Sequence, residues 1–140
     1  MPTTVIRFGL SSKDIVSDSI ALSDSQSLTT DGTAGLDLTS GLTRIKVGTS
    51  AETILDASTF SNTGESQLGY IYIKNFSATP SSIDFTDSII IKLDDGSNQL
   101  TLGHLPGGHA AILPYSANND LTITADVADT VVEYIHIHEG

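Results

Sequence analysis

Gln67-Leu68-Gly69-Tyr70-Ile71-Tyr72-Ile73-Lys74-Asn75-Phe76 is the stretch that decides the fold class. Alternate side chains of a strand point to opposite faces. Tyr70, Tyr72, Lys74 and Phe76 therefore share one face, and Gly69, Ile71, Ile73 and Asn75 the other. Aromatic and β-branched residues crowd the run, as strands prefer. Both faces carry apolar groups, which predicts a central strand packed on both sides.

Toward the C-terminus, strand signals follow at short spacing. Ser82-Ile83-Asp84-Phe85 is one, and residues 88–93 (Ser-Ile-Ile-Ile-Lys-Leu) are another. Asp94-Asp95-Gly96-Ser97-Asn98 supplies turn chemistry, because Gly takes positive φ and Asp and Asn side chains bond back to the local backbone. Gln99-Leu100-Thr101-Leu102 then returns antiparallel, which predicts a hairpin. Leu105-Pro106-Gly107-Gly108 predicts a type II turn with Pro106 at its first central position and positive φ at Gly107. Residues 109–113 read as a strand stopped by Pro114. Residues 120–125 alternate cleanly, and residues 130–138 form a long final strand. Regular short strands separated by Gly, Pro, Asn and Asp predict an all-β fold, an antiparallel β-sandwich or barrel of jelly-roll-like type.

Toward the N-terminus the composition changes. Ser, Thr, Asp and Gly dominate residues 11–50. Ile15, Ile20, Leu22 and Leu28 mark one or two extended stretches, and Arg44-Ile45-Lys46-Val47 a further strand. Thr49-Ser50-Ala51-Glu52 has the form of a helix capping box, but Thr53, Ile54 and the Ser58-Thr59 pair favour extension. The expected organisation is a Ser/Thr-rich extended arm or set of edge strands over residues 1–66, part of the same unit as a sandwich core over residues 67–140.

Charge narrows the partners. Six Lys plus Arg stand against seventeen Asp plus Glu, a net charge of −11. Phosphate-backbone binding needs a basic surface, and so does an anionic membrane, so neither nucleic acid nor membrane is an expected partner. Acidity of this size also serves plain solubility. The absence of cysteine removes disulfides, thiol catalysis and cysteine-ligated metals. Met-Pro-Thr-Thr-Val-Ile-Arg-Phe at the start has no basic stretch followed by an apolar run, so synthesis in the cytoplasm is expected.

Candidate chemistry is sparse. His136 and His138 are one residue apart on an expected strand, share a face, and are candidate ligands for zinc or another divalent ion. His104 and His109 lie in a turn region that could approach them. A His-x-His pair alone is a thin metal signature, and the competing reading is a polar face backed by Ile135 and Ile137. Asp94 and Asp95 suit a turn and lack the oxygen-ligand pattern of a calcium loop. Asp84 and Asp87 flank another turn. Tyr70, Tyr72 and Phe76 are either a sugar- or partner-gripping stripe or, as the two-sided apolar pattern favours, sheet packing. No Gly-x-Ser-x-Gly elbow and no phosphate loop occurs, so no catalytic residue and no cofactor is nominated.

The order of short elements over residues 67–140 resembles small bacteriophage virion proteins of the capsid decoration (cement) type. It consists of the residue 67–76 strand, a polar break, a strand pair around residues 89–102, the Pro-Gly segment at 105–108, a strand at 109–114, and closing strands at 121–125 and 132–135. The likeness covers about half the chain. It implies a structural protein made in the host cytoplasm and carried on the outer capsid surface. Its partners would be the major capsid protein or other virion proteins, and it would be a homo-oligomer, a trimer being one such form. Tail, neck or fibre components are the neighbouring alternative. A carbohydrate- or metal-binding β module comes next, and a hydrolase last.

Overall fold

A computed structural model describes residues 3–13, 20–29, 36–60, 68–77, 87–116 and 118–139. Its contacts divide the chain into two compact units, residues 1–37 and residues 38–139. The first contains a two-stranded antiparallel ribbon, β1 (Thr3–Ser12) and β2 (Ile20–Thr29), paired from Thr3↔Thr29 to Ser12↔Ile20.

The second unit is an antiparallel β-sandwich. β3 (Leu36–Thr39) spans the boundary between the units. The remaining strands are β4 (Thr43–Val47), β5 (Glu52–Leu55), β6 (Leu68–Asn75), β7 (Ile89–Asp94), β8 (Gln99–Leu105), β9 (Ala110–Ser116), β10 (Asp120–Ala125) and β11 (Thr130–Glu139). One sheet runs β5-β10-β7-β8, and the other runs β3-β11-β6-β9 with β4 also on β11. β3 and β4 lie one after the other along the side of β11 away from β6. The core draws on both sheets, with Ile71, Ile73 and Val132 from one meeting Ile89, Leu121 and Ile123 from the other, all fully buried. β4 and β5, which precede residue 67, pair with β11 and β10.

The expected hairpin is present. β7 and β8 pair antiparallel, Gly96 sits at φ 85°, and the Asp94 and Asp95 carboxylates accept backbone N–H groups of Gly96, Ser97 and Asn98. β6 is central, between β11 and β9. Only its Gly69–Asn75 face is buried, however; Tyr70, Tyr72 and Lys74 are half-exposed. The expectation of packing on both sides fails because a sandwich sheet turns only one face to its core.

Three further expectations are corrected. The strand from Ala110 runs through Pro114 to Ser116, because β9 is an edge strand of its sheet and an edge tolerates a residue without an N–H. The turn after β8 starts one residue later than expected: His109 N–H donates to Pro106 O, and the positive φ of 77° falls on Gly108. Gly107 is required for space instead, since a Cβ there would lie 2.6 Å from Ser77 Oγ. Finally, Ser58 and Thr59 sit in a single helical turn, α1 (Ala57–Phe60), rather than in extended chain. Asp56 and Asp120 carboxylates accept the N–H groups of Ser58 and Ala57 at its start, as first-turn donors require. The expected strand at 82–85, with Asp84, and Ile15 lie outside the described residues.

One buried side chain ties the two sheets together. Asn75, at the end of β6, is fully buried. Its Nδ2 donates to Leu105 O at 3.0 Å, on β8 of the opposite sheet, and to Asp87 O at 2.8 Å, ahead of β7. Its Oδ1 accepts Ser77 N–H at 3.0 Å. Its own backbone N–H and C=O bond His109 O and Gly108 N–H. Each buried carbonyl left without its donor costs about 1–3 kcal/mol. Asn75→Ala should therefore destabilise the sandwich by about 3 kcal/mol, and Asn75→Asp by no less, because a carboxylate cannot donate. Denaturant unfolding at neutral pH measures both, and near-wild-type stability of the Asp variant would contradict the clasp.

Candidate functional site: the histidine face and the exposed ribbon

β11 turns its even-numbered residues inward. Its register with β6 places His136 opposite Ile71 and His138 opposite Gly69, on the core side. A Cβ on Gly69 would lie 2.5 Å from Ile137 O, so glycine permits this close approach. His136 is only 2% exposed, while Ile135 and Ile137 are half-exposed. The expected polar histidine face is therefore an interior one. The two imidazoles stack at 4.5 Å between centroids, and Tyr115 meets His136 edge-on at 5.4 Å. Burial, and secondarily the neighbouring His138, push the His136 pKa down to about 4. His136 is thus a neutral imidazole near neutrality.

Sharing a face is as far as the metal expectation goes. Among the described residues no three His, Asp or Glu side chains gather to hold an ion. His104 lies on β8 of the other sheet, with Nδ1 3.3 Å from Ser88 Oγ. His109 opens β9 beside its turn, with Nδ1 3.0 Å from Gly107 O. Asp94 and Asp95 serve the hairpin turn. Backbone N–H donors of Asn98 and Ser97 hold the Asp95 carboxyl below the usual carboxylate range.

A cluster that no sequence spacing announces joins Ser88, His104 and Asp126. The buried Ser88 hydroxyl donates to Asp126 Oδ2, and His104 Nδ1 approaches the same Oγ. In a hydrolytic triad the imidazole stands between hydroxyl and carboxylate and takes the hydroxyl proton. Here serine stands in the middle and its proton faces the carboxylate. The arrangement ties together the ends of β7, β8 and β10.

The outer face of the larger sheet carries the aromatic residues. Tyr70 pairs with Ile137 and Tyr72 with Ile135, all half-exposed, so the favoured interior packing of this stripe does not occur. At its end, Arg44 and Lys74 stand 4.7 and 4.5 Å from the Phe76 ring centroid. Arg44 Nε donates to Glu133 Oε2 at 2.7 Å. Burial, with Glu133 adding to it, raises the Tyr72 pKa.

The ribbon exposes more apolar surface. Leu10 faces Leu22 across the pairing, and Phe8 lies two residues along on the same face, opposite Asp24. Phe8, Leu10 and Leu22 are 46%, 58% and 63% exposed. With Gly9, Ser23 and Asp24 they line an open hollow of about 500 Å³. On the other side Arg7 pairs with Ser25, and Gly9 with Ser23.

No protein-family model matches the chain, and no curated protein matches it in sequence. Among solved structures, it is similar to a chain from the Bacillus endospore appendages, described as a novel family of disulfide-linked pili. The TM-score is 0.49 at 11% identity, over 99% of this chain and 90% of that one. The present chain has no cysteine.

The histidine face has a consequence for acid stability. An unfolded histidine titrates near 6.5, and His136 in the fold titrates near 4. Between those values the unfolded chain binds the extra proton. Stability is therefore complete above about pH 6.5 and is lost as pH falls toward 4, by about 3 kcal/mol for this group. His136→Leu should lose about that much less than the wild type between pH 7 and 4 in denaturant titrations. Parallel pH profiles for the two proteins would show that His136 is not the group responsible.

Proposed function

We propose that this chain is a structural protein that works by assembling onto other protein surfaces, and that its place is the outer shell of a virion, as a capsid decoration (cement) protein. The observation that carries the reading is the ribbon. A two-stranded hairpin is marginal in water when it has nothing to pack against. This one is ten residues a side and presents Phe8, Leu10 and Leu22 to solvent on a single face. An apolar face of that kind is completed by another surface.

The other features fit the same role. A rigid sandwich with a ribbon as its contact element can bridge neighbours, and weak contacts multiply when a shell repeats them. A net charge of −11 suits the outside of a particle better than a DNA-lined interior. The partner in this reading is the major capsid protein or another virion protein. The chain itself forms a homo-oligomer, with a trimer one closed form.

The test is to purify particles with and without the protein. Its presence on heads at shell-like copy number, and heads that break at lower temperature without it, are the expected results. Leu10→Asp and Leu22→Asp should each weaken attachment at least about tenfold, the cost of placing a charge in an apolar contact, while leaving sandwich unfolding unchanged. Labelling confined to the tail would move the protein to a tail, neck or fibre role. Heads equally robust without it would overturn the cement reading.

A further inference from the structure

Residues 96–119 contain no Asp, Glu, Lys or Arg, in a chain that carries six basic and seventeen acidic residues. The stretch holds β8 and β9 and the turn that joins them. β8 is the edge of one sheet and β9 the edge of the other. The turn between them is closed by the His109–Pro106 hydrogen bond and held by Gly108 N–H to Asn75 O. Both edges therefore lie on one flank of the sandwich, and neither strand contributes a charged residue of its own, although Lys92 and Asp94 of β7 reach Gln99 at one end of β8.

The opposite flank differs. Arg44 and Lys46 stand on β4, paired with Glu133 and Asp129, and β5 is four residues long beside a register shift at Leu121/Thr122. Charges, short strands and irregular pairing are the means by which sheet edges avoid one another. On the β8–β9 flank, β9 carries Pro114. β8 carries neither proline nor charge, and it exposes Leu100 at 62% and Leu102 at 43%. Its pairing with β7 skips from Ile91↔Gly103 to Lys92↔Thr101, leaving Leu102 as the extra residue of a bulge. A bulge interrupts a backbone ladder, so contact here runs through side chains rather than through strand addition.

We propose that the β8–β9 flank is a self-association surface, on which a second copy of this chain docks about a two-fold axis with Leu100 and Leu102 at its centre. Charge selects this occupant. Two copies at net −11 repel one another, and they approach at least cost along strands that bear no charge. A strongly charged partner would find no complement on these strands. A two-fold contact needs only one surface, used twice. The footprint sets the strength. Seven-residue strands are about 24 Å long and the sheets about 10 Å apart, a projected footprint of about 240 Å² per copy, below what a stable specific contact buries. The dimer is accordingly weak and reversible. It is independent of the ribbon and of the virion reading.

Salt distinguishes this contact from an ionic one. Screening relieves repulsion between the two acidic copies and weakens nothing between strands that bear no charge. In sedimentation velocity, the wild type should pass from monomer to dimer between about 10 µM and about 1 mM, and should dimerise about tenfold more tightly at about 0.5 M salt than at about 0.05 M. Leu102→Lys and Leu100→Lys, each at an exposed site, should weaken dimerisation at least about tenfold. Leu42→Lys, at a 58% exposed site outside β8, β9 and the ribbon, makes the same change in net charge and should leave it unaltered. All three reduce the net negative charge, so lost dimer in the β8 variants reflects charge placed at the contact rather than stronger repulsion between the two acidic copies as a whole. Thermal unfolding of each variant should match the wild type, and the two β8 sites substitute for one another if either variant fails to fold. A wild type monomeric throughout would overturn the inference. So would association that weakens with salt, a trimer in place of a dimer, or dimer lost in Leu42→Lys but kept in both β8 variants.

Discussion

The side-chain amide of Asn75 is the interaction on which the sandwich arrangement depends. Burial of Ile71, Ile73, Ile89 and Ile123 drives the two sheets together, but apolar attraction has no direction and tolerates sliding. A buried amide does not. It reaches from β6 to Leu105 O on β8 and to Asp87 O before β7, and each of those carbonyls would be orphaned by a shift of the sheets. The same residue fixes the β8–β9 turn through its backbone. The close packing of Gly107 on Ser77, whose N–H bonds Asn75 Oδ1, lies beside the same clasp.

The sequence made the C-terminal half legible because alternation there is strong and unambiguous. The 67–76 run and the hairpin about Gly96 were both readable, as was the pairing of His136 and His138 on one face. The direction of that face was not. Histidine counts as polar in a pattern, yet His136 is buried because Ile71 opposite it and Tyr115 edge-on to it make an interior that accepts a neutral ring. Asn75 was visible only as one member of a strand face, since partners on Asp87 and Leu105 lie beyond any local window. The ribbon was hardest to see. Its apolar residues are diluted among Ser, Thr and Asp, and only the Leu10↔Leu22 register gathers them onto one side. The Ser88–His104–Asp126 cluster had no signal at all, because it joins three strands.

Charge and exposed apolar side chains meet at some places in this molecule and stand apart at others. Three of the basic residues, Arg44, Lys46 and Lys74, stand on the larger sheet beside Glu133, Asp129 and Phe76. Acidic side chains cap the β7–β8 turn and the helical turn at Ala57. Exposed apolar side chains include Phe8, Leu10 and Leu22 on one ribbon face and Leu100 and Leu102 on β8, with Val5, Leu42, Phe76 and Val127 standing elsewhere. The ribbon face and β8 are the places where two or more of these apolar side chains stand together on one element.

The position of β11 bears on the order in which the molecule forms. It lies between β4 and β6, pairing Thr130 with Val47 and Val132 with Asn75. β4 has no sheet partner until residues 130–139 have been made, and β6 until then has only β9, so loops of tens of residues must close late, and folding of this kind is slow. The ribbon is different. Its strands meet at Ser12↔Ile20, and its contacts are complete once residue 29 has emerged. During synthesis both ribbon strands are thus available well before β11 is, although an isolated ribbon of two strands is marginal on its own. The density of Ser, Thr and Asp along it then has a purpose apart from the finished structure: it keeps a nascent chain with an uncovered apolar face from sticking to its neighbours while the larger unit waits for its central strand.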